Sequence, residues 1–420
     1  MTTPNKPALG MAEAVQAVLR NVSVLASERL PLVNAVGRAL ASDVISPIDL
    51  PLWDNSGMDG YAVQRRDVLG ASASNPVVLP VIGTIMAGGD EHPEVIAGVA
   101  ARIMTGAPIP PGANAVVRVE DTDRGVKSVR ITDDRDALLA GGNIRAQGLD
   151  MRAGSLVFAT GTTITPVHAG VLASVGAARV TVYRAPRVTL LSTGDELVEV
   201  EHFGEVLAGR RIVSSSSYAL PPWLKEQGAI VTALPLLPDS LSEIRDAIVD
   251  ALERGCDLLI TTGGVSVGAH DYTRDALKEL DADIAFWRAR IRPGGPIGTG
   301  TVRGVPWIGL PGNPVSSMVT AELFVRPAIR KLGGHANVMR TAVPVRIAER
   351  MMTSPGLTHL LRVVVSRDAT GNLEARLAGG QASNLLRAMA LANALLIVPE
   401  DQSGANEGDV LDAMLLGDVS

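Results

Sequence analysis

Two glycine turns and a handful of carboxylates and hydroxyls are the parts of this 420-residue sequence that could do chemistry. The first turn, Gly263-Gly-Val-Ser-Val-Gly268, follows the apolar run Cys256-Asp-Leu-Leu-Ile-Thr-Thr262 and precedes Asp271. The second, Pro311-Gly-Asn-Pro-Val-Ser316, follows Pro306-Trp-Ile-Gly-Leu310. Backbone N–H groups at such turns, and at the helix starts behind them, favour an anion, usually a phosphate. Gly263, Gly264, Ser266, Gly268, Gly312 and Asn313 are therefore candidate ligand contacts, although an ordinary strand-to-helix connection reads the same way. Neither turn closes in Gly-Lys-Ser/Thr and neither carries GxGxxG, so a phosphate here would be held outside the two commonest fingerprints. Ser316 puts a hydroxyl at a helix start behind Pro314, suited equally to capping and to phosphate contact. Asp195-Glu196 ends one apolar run, Asp239 ends another, and Asp271 opens a helix. Each stands at the ligand edge of a parallel sheet, or caps a helix.

The elements that must position these residues read as strand, tight polar turn, helix, repeated twice between residues 256 and 326. Further strands are expected at 187–192 and 229–237, and Ser240-Leu-Ser-Glu243 is a capping box opening a helix that ends at Gly255. That alternation predicts a doubly wound α/β domain over about 187–330. Before it, Met11, Val15, Val18 and Leu19 predict an amphipathic helix over 11–22. Residues 53–62 read as a turn-rich loop and not a regular element. Short β runs over 77–129 predict a small all-β module, within which 102–112 is too proline-rich for a central strand. A short helix is expected at 166–176. The last 90 residues return to β character at 343–347, 361–366, 373–377 and 394–398, with Ala369-Thr-Gly-Asn372 as a hairpin turn.

Composition sets the bounds. The length suggests roughly two to four domains. A net charge of −6 offers nothing to nucleic acid in general, and aromatic residues make up only 3%, so the cores must rest on Val, Leu, Ile and Ala. The single cysteine, Cys256, rules out an intrachain disulfide and reads as a small buried residue. No apolar signal core opens the sequence and no membrane-length apolar run occurs, which predicts a cytoplasmic chain. None of the six histidines forms an HxxH or HExxH pair, which argues against zinc.

Asp54-Asn-Ser-Gly-Met-Asp-Gly-Tyr-Ala62, Met104-Thr-Gly-Ala-Pro108, Leu191-Ser-Thr-Gly-Asp-Glu-Leu197 and the two glycine turns occur in that order. Together they resemble the MoeA family, the molybdopterin molybdenumtransferases, also represented in the C-terminal part of gephyrin. The resemblance runs from the first helix to the last strands. It implies an elongated multidomain α/β-plus-β chain with four domains: an N-terminal helix and linker domain (1–50 and 140–180), an inserted small β domain (51–139), a MogA-like α/β molybdopterin-binding domain (181–330) and a C-terminal β-barrel-like domain (331–420). It also implies a homodimer, and a reaction in which adenylylated molybdopterin and molybdate give molybdenum cofactor and AMP with Mg2+. By the same resemblance Asp59, Thr105, Asp150, Glu196, Asp271 and Arg292 are catalytic, and Glu196, Asp239 and Asp271 are metal ligands. Pro293, Arg362 and Ser383 join the glycine turns in binding substrate. A MogA-like adenylyltransferase and molybdoenzyme maturation proteins are the implied partners.

The chain departs from the family inside the α/β domain. Relatives read Arg/Lys-Pro-Gly-Lys-Pro where this sequence has Arg292-Pro-Gly-Gly-Pro296, so Gly295 lacks a cation expected beside the oxyanion. Ala269 replaces a glutamate, and Ser214-Ser-Ser-Ser217 an Asp-x-Asn pattern. Three readings follow: a working insertase with Arg288, Arg290 or Arg292 substituting for the missing lysine, a paralogue handling tungstate, and a non-catalytic gephyrin-like scaffold.

Overall fold

The computed structural model describes residues 8–90, 93–139, 141–264 and 272–419. Ser266, Gly268, Ala269 and Asp271 therefore lie outside the described residues. The chain forms two compact units, one from residues 43–159 and 170–177, the other from 1–42, 160–169 and 178–420.

The smaller unit is built on a five-stranded sheet in the order Ala115–Arg118, Gly60–Val63, Ala100–Ile103, Val77–Ile85, Ser128–Ile131. Tyr61, Val63, Ala100, Val117 and Ile131 are fully buried within it. Two expectations are corrected here. Residues 53–62 are not all loop: after Asp59 the chain enters the strand Gly60–Val63, which pairs on both sides. Gly60 is obligatory there, since a Cβ would stand 2.0 Å from the Val117 carbonyl oxygen. Likewise the Arg102-to-Gly112 segment begins inside the central strand Ala100–Ile103 and leaves it before Pro108. Both misreadings come from averaging a strand end with the turn beside it.

The larger unit holds a six-stranded sheet in the order Ile230–Ala233, Arg187–Ser192, Leu258–Thr262, Val305–Leu310, Pro296–Val302, Asp283–Arg288. The first four strands are parallel and the last two antiparallel. Alternate residues of the parallel strands bury against opposite layers. Leu190, Ile260 and Ile308 meet the helix Met11–Arg20 and the segment following Pro314. Leu191, Leu259 and Trp307 meet the helices Leu241–Glu253 and Tyr272–Glu279. A sheet covered on both faces needs nearly continuous apolar strands, which is why these runs stood out in the sequence. The antiparallel pair did not, because Gly298 and Gly300 dilute its pattern. A Cβ at Gly298 would stand 2.4 Å from the Trp307 ring.

The C-terminal residues form a closed five-stranded barrel: Thr358–Arg367, Leu373–Leu377, Ala342–Ile347, Val410–Leu415 and Ala394–Val398, which pairs back onto the first. The closing strand Val410–Leu415 is an addition to the four expected. The hairpin at 369–372 is observed, joining antiparallel strands. Ile291–Arg292 adds a parallel pairing to Thr358 and His359 and so ties the α/β layer to the barrel. Behind the sheet, buried Glu322 accepts from Trp223 Nε1 at 2.9 Å and from Arg340 Nε and Nη2 at 2.6 and 2.9 Å. Among the described residues no helix is long and apolar enough to cross a membrane.

Candidate functional site

Three parallel strands, Arg187–Ser192, Leu258–Thr262 and Val305–Leu310, end side by side, and a cavity of about 410 Å³ opens at their carboxyl ends. Thr193, Thr262 and Pro311, each the last residue of a strand or the next one on, form its floor. Glu196, Gly263, Gly264, Gly312 and Asn313 line it as the first residues suggested. Gly263 has φ +85, and a Cβ there would stand 2.8 Å from the Thr193 carbonyl oxygen, so only glycine lets the two strand ends approach. The serines Ser214, Ser215 and Ser216 complete the rim. They open the helix Ser215–Glu226, whose internal Pro221 and Pro222 obscure it in the sequence.

A second cavity of about 520 Å³ shares Pro296, Pro311 and Asn313 with the first. Its lining is basic: Arg288, Arg290 and Arg292, with the hydroxyls of Ser316 and Ser383 and the turn from Pro293 to Gly295. The three arginines are not equivalent. Arg290 donates to Glu400 at 3.0 Å and to the Ala8 carbonyl at 2.7 Å, and that bond holds the Glu400 carboxyl below its usual range. Arg288 and Arg292 are exposed and carry no ion pair among the described residues. Burial, helped by the Arg292 charge and opposed by the bond to the Ser354 carbonyl, lowers the His359 pKa below its ordinary value. An imidazole kept neutral adds no competing cation beside Arg292.

The Ser383 loop is held from two directions. Asn313 Nδ2 donates to Ser383 Oγ at 3.3 Å. Arg362, only 1% exposed, donates through Nη2 to the carbonyls of Gly380 and Ala382, each at 3.1 Å. Its Nε has no partner among the described residues, and burial lowers its pKa. The structure thus places Arg362 beneath the loop that carries Ser383.

The remaining expected residues are placed as follows. Asp239 stands outside the lining of the first cavity, its amide donating to Asp195 Oδ1 at 3.1 Å. In the smaller unit, Asp59 Oδ1 accepts from both the amide and the hydroxyl of Thr105, each at 2.7 Å. Those two bonds keep the exposed carboxyl below its usual range. Asp150 is exposed on a turn, where its amide donates to the Leu50 carbonyl at 2.9 Å. Among the described residues no group of three or more His, Cys, Asp or Glu is gathered to hold a metal. Cys256 is buried, and desolvation pushes its thiol up, which disfavours the thiolate. Sequence reasoning missed Thr193, Thr262, Pro296 and Pro311 as lining residues. The first two close apolar runs as polar residues, which was the available signal.

Family models match almost the whole chain. The MoeA N-terminal region (domains I and II) covers residues 9–176, a probable molybdopterin-binding domain 189–331, and the MoeA C-terminal region (domain IV) 344–416. Molybdopterin molybdenumtransferase 2 of Mycobacterium tuberculosis is 38% identical over 377 residues, 89% of this chain and 91% of that protein. The molybdopterin molybdenumtransferase of Haemophilus influenzae is 34% identical, covering 92% of this chain and 93% of the relative. The crystal structure of the molybdopterin biosynthesis moeA protein from Pyrococcus horikoshii superposes with a TM-score of 0.82 at 28% identity, over 97% of this chain and all of that one. The chain belongs to the MoeA family of molybdopterin molybdenumtransferases.

Proposed function

We propose that the chain inserts molybdate into adenylylated molybdopterin, releasing AMP and molybdenum cofactor. The observation that carries this reading is the pair of adjoining cavities with opposite chemistry. One offers glycine turns, hydroxyls and the Glu196 carboxylate; the other offers arginines and serine hydroxyls. A phosphorylated substrate suits the first. A tetrahedral oxyanion suits the second, where Arg288 and Arg292 supply charge and Ser316 and Ser383 supply directed O–H donors. Pro296, Pro311 and Asn313, common to both linings, bring the two substrates within reach of each other.

Mg2+ fits the first cavity in kind. Glu196, Thr193 and Thr262 are hard oxygen donors, and Mg2+ ordinarily uses one or two carboxylates together with substrate phosphates. Bound there, it would neutralise charge on the phosphoanhydride as AMP leaves. Glu196 would hold it, while Asp239 and Asp271 complete the proposed metal set. Asp59 with Thr105, and Asp150, are proposed to act on the same substrate. The reading includes a homodimer in the cytoplasm and a separate MogA-like adenylyltransferase that supplies the substrate.

The test is single-turnover AMP release from adenylylated molybdopterin, with and without Mg2+ and molybdate. Release that requires Mg2+ and is stimulated by molybdate is expected. A folded chain that binds both substrates and releases no AMP would leave the scaffold reading in its place. A solution mass of one chain would remove the dimer.

A further inference from the structure

We propose that Arg326, Arg330 and His335 form a binding site for a tetrahedral dianion. None of the three lines either cavity described above, so the site does not depend on the transferase reading.

Charge at this spot is out of balance. Arg326 and Arg330 lie four residues apart on the helix Arg326–Leu332, so their side chains leave it on the same face. Burial and then the charge of Arg340 lower the pKa of both, that of Arg326 to about 10. Glu322 is the carboxylate that faces Arg326, and both its oxygens already accept from Arg340. Arg38, whose charge also reaches His335, is paired with Glu28 at 2.6 Å. Three guanidiniums less one carboxylate leave two positive charges. Among the described residues Arg326 and Arg330 enter no ion pair, and both are half-buried. Guanidiniums withdrawn from water without a counter-charge destabilise the fold, and like charges four apart on a helix add to this. A bound dianion offsets both effects.

The hydrogen bonds leave directed donors for it. Arg326 Nη1 donates to the Val338 carbonyl at 2.8 Å, and Arg330 Nε to the Asn337 carbonyl at 2.6 Å. Arg330 Nη2 donates to Thr163 Oγ1 at 3.2 Å. With its oxygen accepting there, Thr163 can give its own proton to His335 Nδ1, 2.7 Å away. That assignment puts the hydrogen of the neutral imidazole on Nε2. Arg326 Nη2, Arg330 Nη1 and His335 Nε2 are then the donors without an acceptor among the described residues, and none is shut away from solvent. Arg326 Nε, by contrast, is buried and takes no part. Two charge-assisted donors and one neutral donor suit phosphate, sulfate or molybdate, which share shape and charge.

The test follows the His335 ring by NMR in the full chain with isotope-labelled histidine, exchanging chloride for sulfate at constant ionic strength. Sulfate is the probe because it stays a dianion as the pH is lowered. The resonance is identified by its loss in His335→Gln. Sulfate should shift it saturably near neutral pH and carry its midpoint up from about 4 toward the ordinary histidine value, since a nearby anion favours the imidazolium. The melting temperature should rise in parallel by about 3 °C at saturation. Arg326→Gln should weaken the response about tenfold, whereas Arg292→Gln, in the arginine-lined cavity, should leave it unchanged. Molybdate displacing sulfate at lower concentration than phosphate does would make the metal oxyanion the preferred occupant; equal displacement would make this a general dianion site. A His335 resonance no more sensitive to sulfate than to chloride would overturn the proposal, as would a response undiminished in Arg326→Gln. A response that never saturates would mark an adventitious ion only. A fall in solution mass for Arg326→Gln, with no sulfate response in the wild-type chain, would overturn it by giving the two charges to carboxylates of a second copy.

Discussion

Gly295→Lys is the perturbation with the most to say about the arginine-lined cavity as the proposed oxyanion site. Its backbone is not in the left-handed region, so no penalty for a side chain arises from φ. A Cβ at this position would stand 3.1 Å from the Ile291 carbonyl oxygen and 3.3 Å from that of Ala289. Both contacts are with backbone, and Gly295 itself accepts from the Ala289 amide at 3.0 Å. The turn must therefore open by a few tenths of an ångström, at a cost of about 1 kcal/mol in stability. Against this, a charge-assisted hydrogen bond to molybdate contributes about 1.5–3 kcal/mol, or roughly 10- to 150-fold in affinity. Arg288 and Arg292 already provide positive charge, which places the expected gain nearer the lower figure. Calorimetric titration of molybdate at low and high salt measures it, with Gly295→Met as a control that adds volume without charge. The lysine variant should bind tighter and show steeper salt dependence, the methionine variant neither. A folded lysine variant with unchanged molybdate affinity would refute the assignment of the oxyanion to the arginine cavity.

Three further outcomes follow from the packing. His335, with Nδ1 2.7 Å from Thr163 Oγ1, is pushed down to about 4 by burial and by Arg330, Arg326 and Arg38. Its folded pKa lies below the unfolded value, so the unfolded chain binds the extra proton, and about 3 kcal/mol of stability is lost as pH falls from roughly 6.5 through 4; denaturant unfolding across that window should be flatter in His335→Gln, and an equal slope would contradict the assignment. Glu322→Gln strips the counter-charge from half-buried Arg340 and should cost about 3–5 kcal/mol in urea unfolding, most of it recovered in Glu322→Leu with Arg340→Met; a single variant as stable as wild type would show the pair to be dispensable. Gly60→Ala forces a Cβ to 2.0 Å from the Val117 carbonyl oxygen, so hydrogen exchange should accelerate at Tyr61 and Val117 with a loss exceeding about 3 kcal/mol. Undisturbed exchange there would mean that the sheet can part at little cost.

How much of this molecule could be read in advance depends on whether a feature is set by neighbours in sequence. The parallel strands are apolar on both faces because both are covered, and a short run of such residues declares itself. Ser240 accepts from the Glu243 amide at 3.5 Å, which is half of the expected capping box, since the Ser240 amide donates to the Pro238 carbonyl instead, and Gly255 ends that helix at φ +80. The glycine turn at Gly263 and Gly264 and the edge residue Glu196 were equally legible, since turn chemistry is local. Together these specify an α/β domain with a glycine-lined cavity at its strand ends. Other features needed the assembled chain. The strand Pro296–Val302 carries two glycines for different reasons: the Trp287 and Trp307 rings fold against Gly298, and the backbone of Asp283 and Ile284 lies against Gly300. Barrel closure through Val410–Leu415 depends on Ala342–Ile347, distant in sequence, as well as on the nearer Ala394–Val398. Of the arginines at 288, 290 and 292, only the fold shows that Glu400 and Ala8 occupy the middle one. Local pattern determines which segments are strands, helices and turns, because it acts through the backbone of a few consecutive residues. Which polar groups are engaged and which face a cavity is decided by contacts across hundreds of residues, and these exist only in the tertiary structure.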